Sequence, residues 1–300
     1  MSSANPLLSV LCLTYNHEAF VAETLESILA QDVSFEFEVI VADDCSTDGS
    51  VAVIEGFRQR FGDRLRLLRT EVNLGATRNF RRALSACRGR YVALCEGDDH
   101  WRGRVKLQRQ VDFLEVSPDF VLCYHDATMI GRTEWQGRNP IPARLRRDSS
   151  QAALIATRPI STLTVCFRNV LAPLPPELDQ APVLDLCLWS LLGRKGKGKY
   201  LGDIEPAAYR VHEGGVFSTQ GARNQYLMTA QSQLVLARIY ARLGERGRSH
   251  RLLFEASLTA VQWLSFPAAL ALTLTAPVWW LAQRGLQLGR AVSSRLTDSS

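Results

Sequence analysis

Paired cysteine motifs are what the sequence lacks. Its seven cysteines form an odd set with no Cys-x-x-Cys pair, and Cys12, Cys95, Cys123, Cys166 and Cys187 lie in apolar runs. That excludes a disulfide frame or a zinc site and marks them as small reduced core residues. Residues 1–5 carry no basic group and the apolar run after them is short, so no export signal is expected and the bulk of the chain is placed in the cytoplasm. Basic residues are spread without aromatic interleaving and the net charge is only +5, which argues against nucleic acid as a partner. A diphosphate or an anionic lipid surface suits that charge better. One absence is regional: residues 256–283 contain no charge at all. With 300 residues there is length for one large domain, or a domain plus an appendage.

What is present alternates. Residues 9–13 read as a buried strand, Thr14-Tyr15-Asn16-His17 breaks it, and a helix over 18–31 carries Phe20, Val21, Leu25, Ile28 and Leu29 at helical spacing. Residues 37–42 form a second strand, stopped by Asp43-Asp44-Cys45-Ser46-Thr47-Asp48-Gly49, whose turn formers start a helix bearing Val51, Ile54, Phe57 and Phe61. A third strand over 65–68 leads through Asn73-Leu74-Gly75 into a helix with Phe80, Ala83, Leu84 and Cys87, and 91–95 is the fourth strand. Such alternation predicts an α/β fold with a mostly parallel sheet and right-handed crossovers. Next come a helix over 106–115, a strand over 120–125, and a polar loop or flap over 131–150 with Arg144, Arg146 and Arg147. A short helix over 149–157, a β-branched strand over 162–167, an apolar helix over 183–192, a solvated turn with Lys195, Lys197 and Lys199, and a strand over 200–204 complete this part.

After Gln220 the β signal ends. A helix is expected over 224–243, then an arginine-bearing turn and the charge-free run, which is long enough to cross a bilayer but is split by Pro267 and Pro277. Trp263, Trp279 and Trp280 stand where interface anchors would, so an in-plane or re-entrant hydrophobic hairpin is expected, with a true span or packed helices as alternatives.

Two acidic pairs end strands of the sheet. Asp43-Asp44 and Glu96-Gly97-Asp98-Asp99 fall on its C-terminal edge, where open α/β sheets bind ligands. Adjacent carboxylates repel, and a divalent cation relieves them; Mg²⁺ or Mn²⁺ held by carboxylates completes its shell with water and phosphate oxygens, which points to a nucleotide diphosphate. Helix capping would explain one pair but not the coincidence of two. Asp185 sits in an otherwise apolar helix, costly unless it caps the helix or works as a base. In Tyr209-Arg210-Val211-His212-Glu213-Gly214-Gly215, cationic groups meet flexible glycines that can fold over a diphosphate.

Taken in order, Thr14-Tyr15-Asn16, Val41-Ala42-Asp43-Asp44 through Gly49, Asn73-Leu74-Gly75 with Arg78-Asn79, and Glu96-Gly97-Asp98-Asp99-His100-Trp101 make the chain resemble the inverting family 2 glycosyltransferases of GT-A fold, over about 8–218. The resemblance implies that Thr14 and Tyr15 lie by the nucleobase, that Asp44 recognises its polar edge with Asp43 supporting the turn, and that Asn73 and Arg78 line the donor pocket. Asp98 and Asp99 match the motif that contacts the ribose and the metal-bound diphosphate, with Asp99 as a direct metal ligand. The Asp-x-Asp spacing is met by Glu96 with Asp98 and not by Asp99, so the division of labour among the three acids stays open. Asp185 aligns with the catalytic base. Tyr209, Arg210 and His212 match a Tyr-Arg-x-His segment, implying Arg210 as a donor contact and His212 as a ligand of the metal or diphosphate. No Gln-x-x-Arg-Trp motif of processive synthases follows, so one sugar per binding event is expected.

The resulting expectation is a GT-A catalytic domain over 1–220 and a helical, membrane-associating region over 221–300. It would use Mg²⁺ or Mn²⁺ to move a sugar from a UDP- or dTDP-type donor to a hydroxyl of a lipid-linked or cell-surface glycan precursor. Its place would be the inner face of the plasma membrane, peripheral or monotopic, and a homo-oligomer is compatible with it. Two other readings are a nucleotidyltransferase, disfavoured by the missing glycine-rich basic loop after the first strand, and a non-catalytic nucleotide-sugar-binding scaffold subunit.

Overall fold

The computed structural model describes residues 5–261 apart from 135 and 216. The chain divides into two units, Met1–Gln220 and Gly221–Ser300. The first unit contains strands β1 (Leu8–Thr14), β2 (Phe37–Asp43), β3 (Leu65–Leu68), β4 (Tyr91–Leu94), β5 (Phe120–Tyr124), β6 (Ala127–Ile130), β7 (Cys166–Arg168), β8 (Lys197–Tyr200) and β9 (Ala207–Arg210). Its helices are α1 (Val21–Leu29), α2 (Ser50–Gly56), α3 (Arg58–Phe61), α4 (Ala76–Ala86), α5 (Lys106–Val116), α6 (Gln151–Ile155) and α7 (Leu184–Gly193).

Seven strands form one sheet in the order β3-β2-β1-β4-β7-β5-β8. Only β7 runs against the others. The mostly parallel α/β architecture read from the sequence is therefore the observed one. The chain winds outward from β1 through β2 to β3, then returns to place β4 on the other side of β1, so strand order reverses between β1 and β4. At such a reversal the connecting loops diverge and leave a crevice beyond the strand ends. Register makes this concrete: Thr14 is opposite Asp43, and Leu11 opposite Leu94, so the residues that follow all three strands emerge side by side.

The strands read as continuous apolar runs because both faces are covered. On one face Val10, Cys12, Val39, Val41, Ala93 and Cys95 pack with Val21, Leu25 and Ile28 of α1 and with Leu107, Val111 and Leu114 of α5. On the other, Leu11, Ile40, Val92 and Leu94 are buried, and α4 contacts β1 and β2 on the side where its Phe80, Ala83 and Leu84 are buried. Burial on two faces removes the alternation that marks a half-exposed strand.

Three local expectations are corrected. Residues 162–167 are not one strand: Thr162–Thr164 forms a 3-10 turn before β7. Thr164 turns its hydroxyl to the Ser161 carbonyl at 2.7 Å, a local bond that competes with a strand ladder. The Lys195 to Lys199 stretch is not a free solvated turn, because Lys197–Tyr200 is an edge strand whose lysines pair with Asp119 and Asp148 at 3.3 and 3.1 Å. The strand expected over 200–204 accordingly lies earlier. A second sheet was not anticipated: β6 and β9 pair in parallel, Ala127 with Ala207 through Ile130 with Arg210.

In the second unit, α8 (Ala222–Arg242) and α9 (Arg246–Val261) pack on one another, with Gly244 at φ 78° in the turn between them. Leu253, Phe254 and Leu258 of α9 are exposed. The charge-free run is described only as far as Val261, so the expected hydrophobic hairpin lies outside the described residues. Among the described residues no helix is long and apolar enough to cross a membrane.

One buried charge braces the sheet at the end away from the crevice. Glu38, 2% exposed, accepts from the Ser9 hydroxyl at 2.8 Å and from the Arg88 backbone N–H, Nε and Nη2 at 2.7, 2.9 and 2.7 Å. Burial works against its ionisation, but these donors outweigh burial and hold its carboxyl below the ordinary glutamate range. Its stabilising contribution is thus complete above that range and is lost as pH falls through the depressed value. Glu38→Ala should cost about 2–4 kcal/mol, read as a lower urea midpoint at neutral pH, with the difference from the parent shrinking under acid.

Candidate active site

The crevice is built by tying the loops after β1, β2 and β4 together. Asp44 N–H donates to the Thr14 carbonyl at 2.9 Å, and Gly97 N–H to the Leu13 carbonyl at 2.8 Å. Asn16, at φ 54°, accepts from Thr47 N–H at 2.8 Å, while His17 N–H donates to the Ser50 hydroxyl at 2.8 Å and Glu18 N–H to Asp48 at 3.0 Å. These bonds fix the start of α1 against the start of α2. Gly97 then lies so close that a Cβ there would stand 2.7 Å from Thr14 Oγ1 and 2.9 Å from His17 Nδ1. Only glycine lets the acidic turn settle against β1.

The second sheet closes the turn from the other side. His100 and Ala208 exchange backbone hydrogen bonds, 3.2 and 2.9 Å, which draws β9 alongside. Arg210 N–H donates to Asp99 Oδ1 at 2.7 Å and its Nε to the Asp98 carbonyl at 2.9 Å, and its guanidinium also reaches Glu23. Two residues on, His212 Nε2 is 3.0 Å from Asp98 Oδ2, and His17 Nε2 is 3.9 Å from the same oxygen. The two imidazoles meet edge to face with ring centres 5.9 Å apart.

Burial and neighbouring charges shift the acids here. Burial, reinforced by Asp98, raises Glu96 to about 8, with the charge of Asp185 adding to the effect. Burial, Asp98 and Glu96 push Asp99 well above the ordinary aspartate range, against the pull of Arg210. Burial also opposes ionisation of Asp98, but the His212 hydrogen bond and the nearby His17 and His212 rings hold it low. Burial lowers His17 in spite of Asp98, leaving a neutral imidazole at physiological pH. Asp185, in the first turn of α7, is raised by burial to about 6; its bonds from Leu186 N–H and Thr162 oppose that rise.

The other residues singled out from the sequence are placed as follows. Thr14 is buried at the end of β1 and Tyr15 is 45% exposed beside it. Asp43 accepts from the Ser46 N–H and hydroxyl, bracing its own turn. Asp44 uses both oxygens, at 2.8 Å each, to accept Leu74 and Gly75 N–H, and Asn73 donates to the Asp44 carbonyl at 3.2 Å. Arg78 is turned to Asp179 at 3.4 Å with its side chain 62% exposed. Asp98 and His212 come together, and the Asp99 carboxylate is engaged by the Arg210 N–H. Sequence reasoning missed His17. Its signal was there: a titratable residue just past the first strand, on the edge where the acids cluster.

The open α/β sheet with acids gathered at its strand-order reversal defines a ligand-binding fold of the GT-A kind. Residues 9–171 match the description of glycosyl transferase family 2, and the chain belongs to that family. An uncharacterized protein of Mycobacterium bovis is 34% identical over 213 residues, covering 70% of this chain, and the chain spans 60% of that relative's length. The poly(ribitol-phosphate) β-N-acetylglucosaminyltransferase TarS of Staphylococcus aureus is 30% identical over 183 residues, 58% of this chain and 30% of TarS. The structure of TarS 1-349 in complex with UDP superposes with a TM-score of 0.59 at 22% identity, covering 83% of this chain and 70% of that one. The Pyrobaculum calidifontis mannosyltransferase PcManGT, in complex with GDP-Man and Mn²⁺, gives 0.58 at 19% identity, covering 99% and 89%. At such identities these two structures speak for the fold alone.

Gly97→Ala should force a methyl against Thr14 and His17. The expected cost is about 1–3 kcal/mol, seen as a lower thermal midpoint; a variant as stable as its parent would show that the turn does not press on β1.

Proposed function

We propose that the chain moves a single sugar from a nucleotide-diphosphate sugar, of UDP or dTDP type, to an acceptor hydroxyl with inversion at the anomeric carbon. The carrying observation is Asp185: a carboxylate with few compensating donors, raised to about 6, whose charge is felt by Glu96 in the acidic turn. A pKa just below neutrality is what a general base at physiological pH requires, since it is ionised yet still basic enough to take a proton. In the step, Asp185 takes the acceptor hydroxyl proton, the oxygen forms its bond to the anomeric carbon, and the bond to the diphosphate oxygen breaks on the opposite side. Thr162 and the Leu186 N–H orient that carboxylate.

The donor half of the reading places the nucleoside over Thr14, Tyr15, Asp43 and Asp44, with Asn73 and Arg78 at the pocket's flank and Arg210 near the diphosphate. It draws on TarS and PcManGT, whose structures hold UDP and GDP-Man. A divalent cation fits the residues present, because imidazoles and a carboxylate gathered there can bring one ligand atom each to within 4.8 Å of the others. Asp98 and His212 would hold it, with Asp99 beside them, and its chemistry there is to neutralise charge on the departing diphosphate. The acceptor is a lipid-linked or cell-surface glycan precursor. For docking to the inner membrane face the reading rests on residues 221–300, with exposed Phe254 and Leu258 and the charge-free run that follows.

Asp185→Asn should reduce turnover by about 10²–10⁴ while leaving nucleotide-sugar affinity close to the parent's, measured by product release and by calorimetry. Unchanged turnover removes the assignment. The parent's kcat/KM should fall on the acid side with an apparent pKa of about 6, because protonating Asp185 removes the base.

The same substitution should stabilise the fold. A carboxyl raised in the folded state binds its proton more tightly than in the unfolded chain, so its ionisation penalises folding above about pH 6 and not at all below the ordinary aspartate range. Asp185→Asn should therefore gain on the order of 2 kcal/mol at pH 8, with the gain vanishing near pH 3.5.

A further inference from the structure

The turn acids do not all have a free face for an ion. Asp99 Oδ1 already accepts the Arg210 N–H, and its carbonyl accepts the Thr24 hydroxyl at 2.7 Å. Among the described residues, one set of side chains can bring a ligand atom each to within 4.8 Å of the others: His17, Asp98 and His212. We propose that His17 is a protein ligand of the divalent cation, completing a set of two imidazoles and one carboxylate that selects Co²⁺ or Mn²⁺ over Mg²⁺. This rests on the reading above that a divalent cation serves the site.

The separations suit a shared ion. Two ligand atoms about 2.1 Å from one metal stand about 3.0 Å apart at a right angle and about 4.2 Å apart when opposite. Asp98 Oδ2 lies 3.0 Å from His212 Nε2 and 3.9 Å from His17 Nε2, both inside that range. The three side chains are 16–18% exposed, so water and phosphate oxygens can complete the shell.

The position of His17 is imposed by the fold. Its N–H is held by the Ser50 hydroxyl, its carbonyl accepts from Phe20 and Val21 N–H at 2.9 Å each, and Phe20 packs against its ring edge-on at 6.5 Å. Gly97 leaves the room that the ring occupies, since a Cβ there would lie 2.9 Å from Nδ1.

Donor type decides the metal. Mg²⁺ prefers oxygen and keeps its waters, while imidazole nitrogen favours first-row transition ions in the order Mn²⁺ below Co²⁺. A site with two imidazoles should therefore bind with rising affinity from Mg²⁺ through Mn²⁺ to Co²⁺, and removing one imidazole should flatten the rise.

The test is calorimetric titration of the full chain with each metal alone, beside electron spin-echo spectra of the Mn²⁺-bound protein. The parent should bind Mn²⁺ at least about tenfold more tightly than Mg²⁺, and its spectrum should show two imidazole nitrogens. His17→Gln should lose at least about tenfold for Mn²⁺ and Co²⁺, no more than about threefold for Mg²⁺, and one of the two nitrogens. Parental affinities in His17→Gln overturn the proposal, and a single imidazole nitrogen in the parent overturns it without any variant. If Asp98→Asn abolishes binding while His17→Gln does not, the cation reading stands and only His17 falls. No binding of any of the three ions by the parent removes both.

Discussion

The N–H of Gly97 meets the Leu13 carbonyl at 2.8 Å, continuing the β1–β4 ladder past its last paired residues, Leu11 and Leu94. This close approach determines where the acidic turn can stand. Were the turn lifted by a single methyl, Asp98 would move away from His17, and the β9 contacts from Arg210 and His212 would have to follow it. The parallel register supplies the rest of the constraint, because Thr14 opposite Asp43 puts the β1 and β2 loops at the same height. Strand order reverses at β1, and the three loops that carry polar groups follow the strands on either side of that reversal.

Gathering Glu96, Asp98, Asp99 and Asp185 in one region is expensive. Burial raises Glu96, Asp99 and Asp185, so at neutral pH each is either partly protonated or ionised at a cost to folding. The protein offsets part of this with donors: Arg210 serves Asp99, and His212 serves Asp98. Glu96 Oε2 stays buried without a partner. Elsewhere the same chain handles a buried acid differently, surrounding Glu38 with Ser9 and Arg88 until its carboxyl lies below the ordinary range. The contrast is between a structural acid whose donors outweigh its burial and crevice acids, Glu96 and Asp99, that burial holds above their ordinary range.

Much of the first unit was legible because its signals are local. The strands β1, β2 and β4 are apolar runs ended by turn formers, and their helices repeat at helical spacing, so sheet class and the polar edge both followed. The apolar face expected past Val51 was right in spacing, though it breaks into α2 and α3 near Phe57. What escaped depends on distant partners. Strands β6 and β9 are four residues each and gain their hydrogen bonds across some 80 positions of chain. Nothing in Ala207-Ala208-Tyr209-Arg210 advertises Ala127 as a neighbour. Lys197-Gly198-Lys199 looks solvated because it is, on its outer side, while Gly198 allows the strand to lie against Leu122 and Ser149. For His17 the sequence offered only its place just past the first strand; its contacts with Gly97 and His212 come from the fold.

The acidic turn and Asp185 come from different parts of the chain. The glycosyl transferase family 2 match covers residues 9–171, which hold most of β1, all of β2 through β4 and the acidic turn, but it stops short of Asp185, Arg210 and His212. Those three are brought in by elements with their own supports: α7 for Asp185, and the β6–β9 sheet for Arg210 and His212. Thr162, just before β7, links the two halves by its hydrogen bond to Asp185. The antiparallel insertion of β7 between β4 and β5 therefore has a consequence beyond the sheet. It sets the Thr162 turn beside the end of β4, and Trp101 Nε1 fixes that turn to the acidic loop through the Leu163 carbonyl at 2.8 Å. Lys106, buried with its ammonium 4.1 Å from the Trp101 ring and 2.8 Å from Gln110 Oε1, holds the indole in place. Asp185 is thus referenced to the acidic turn through a short chain of contacts running by way of Thr162, Leu163 and Trp101.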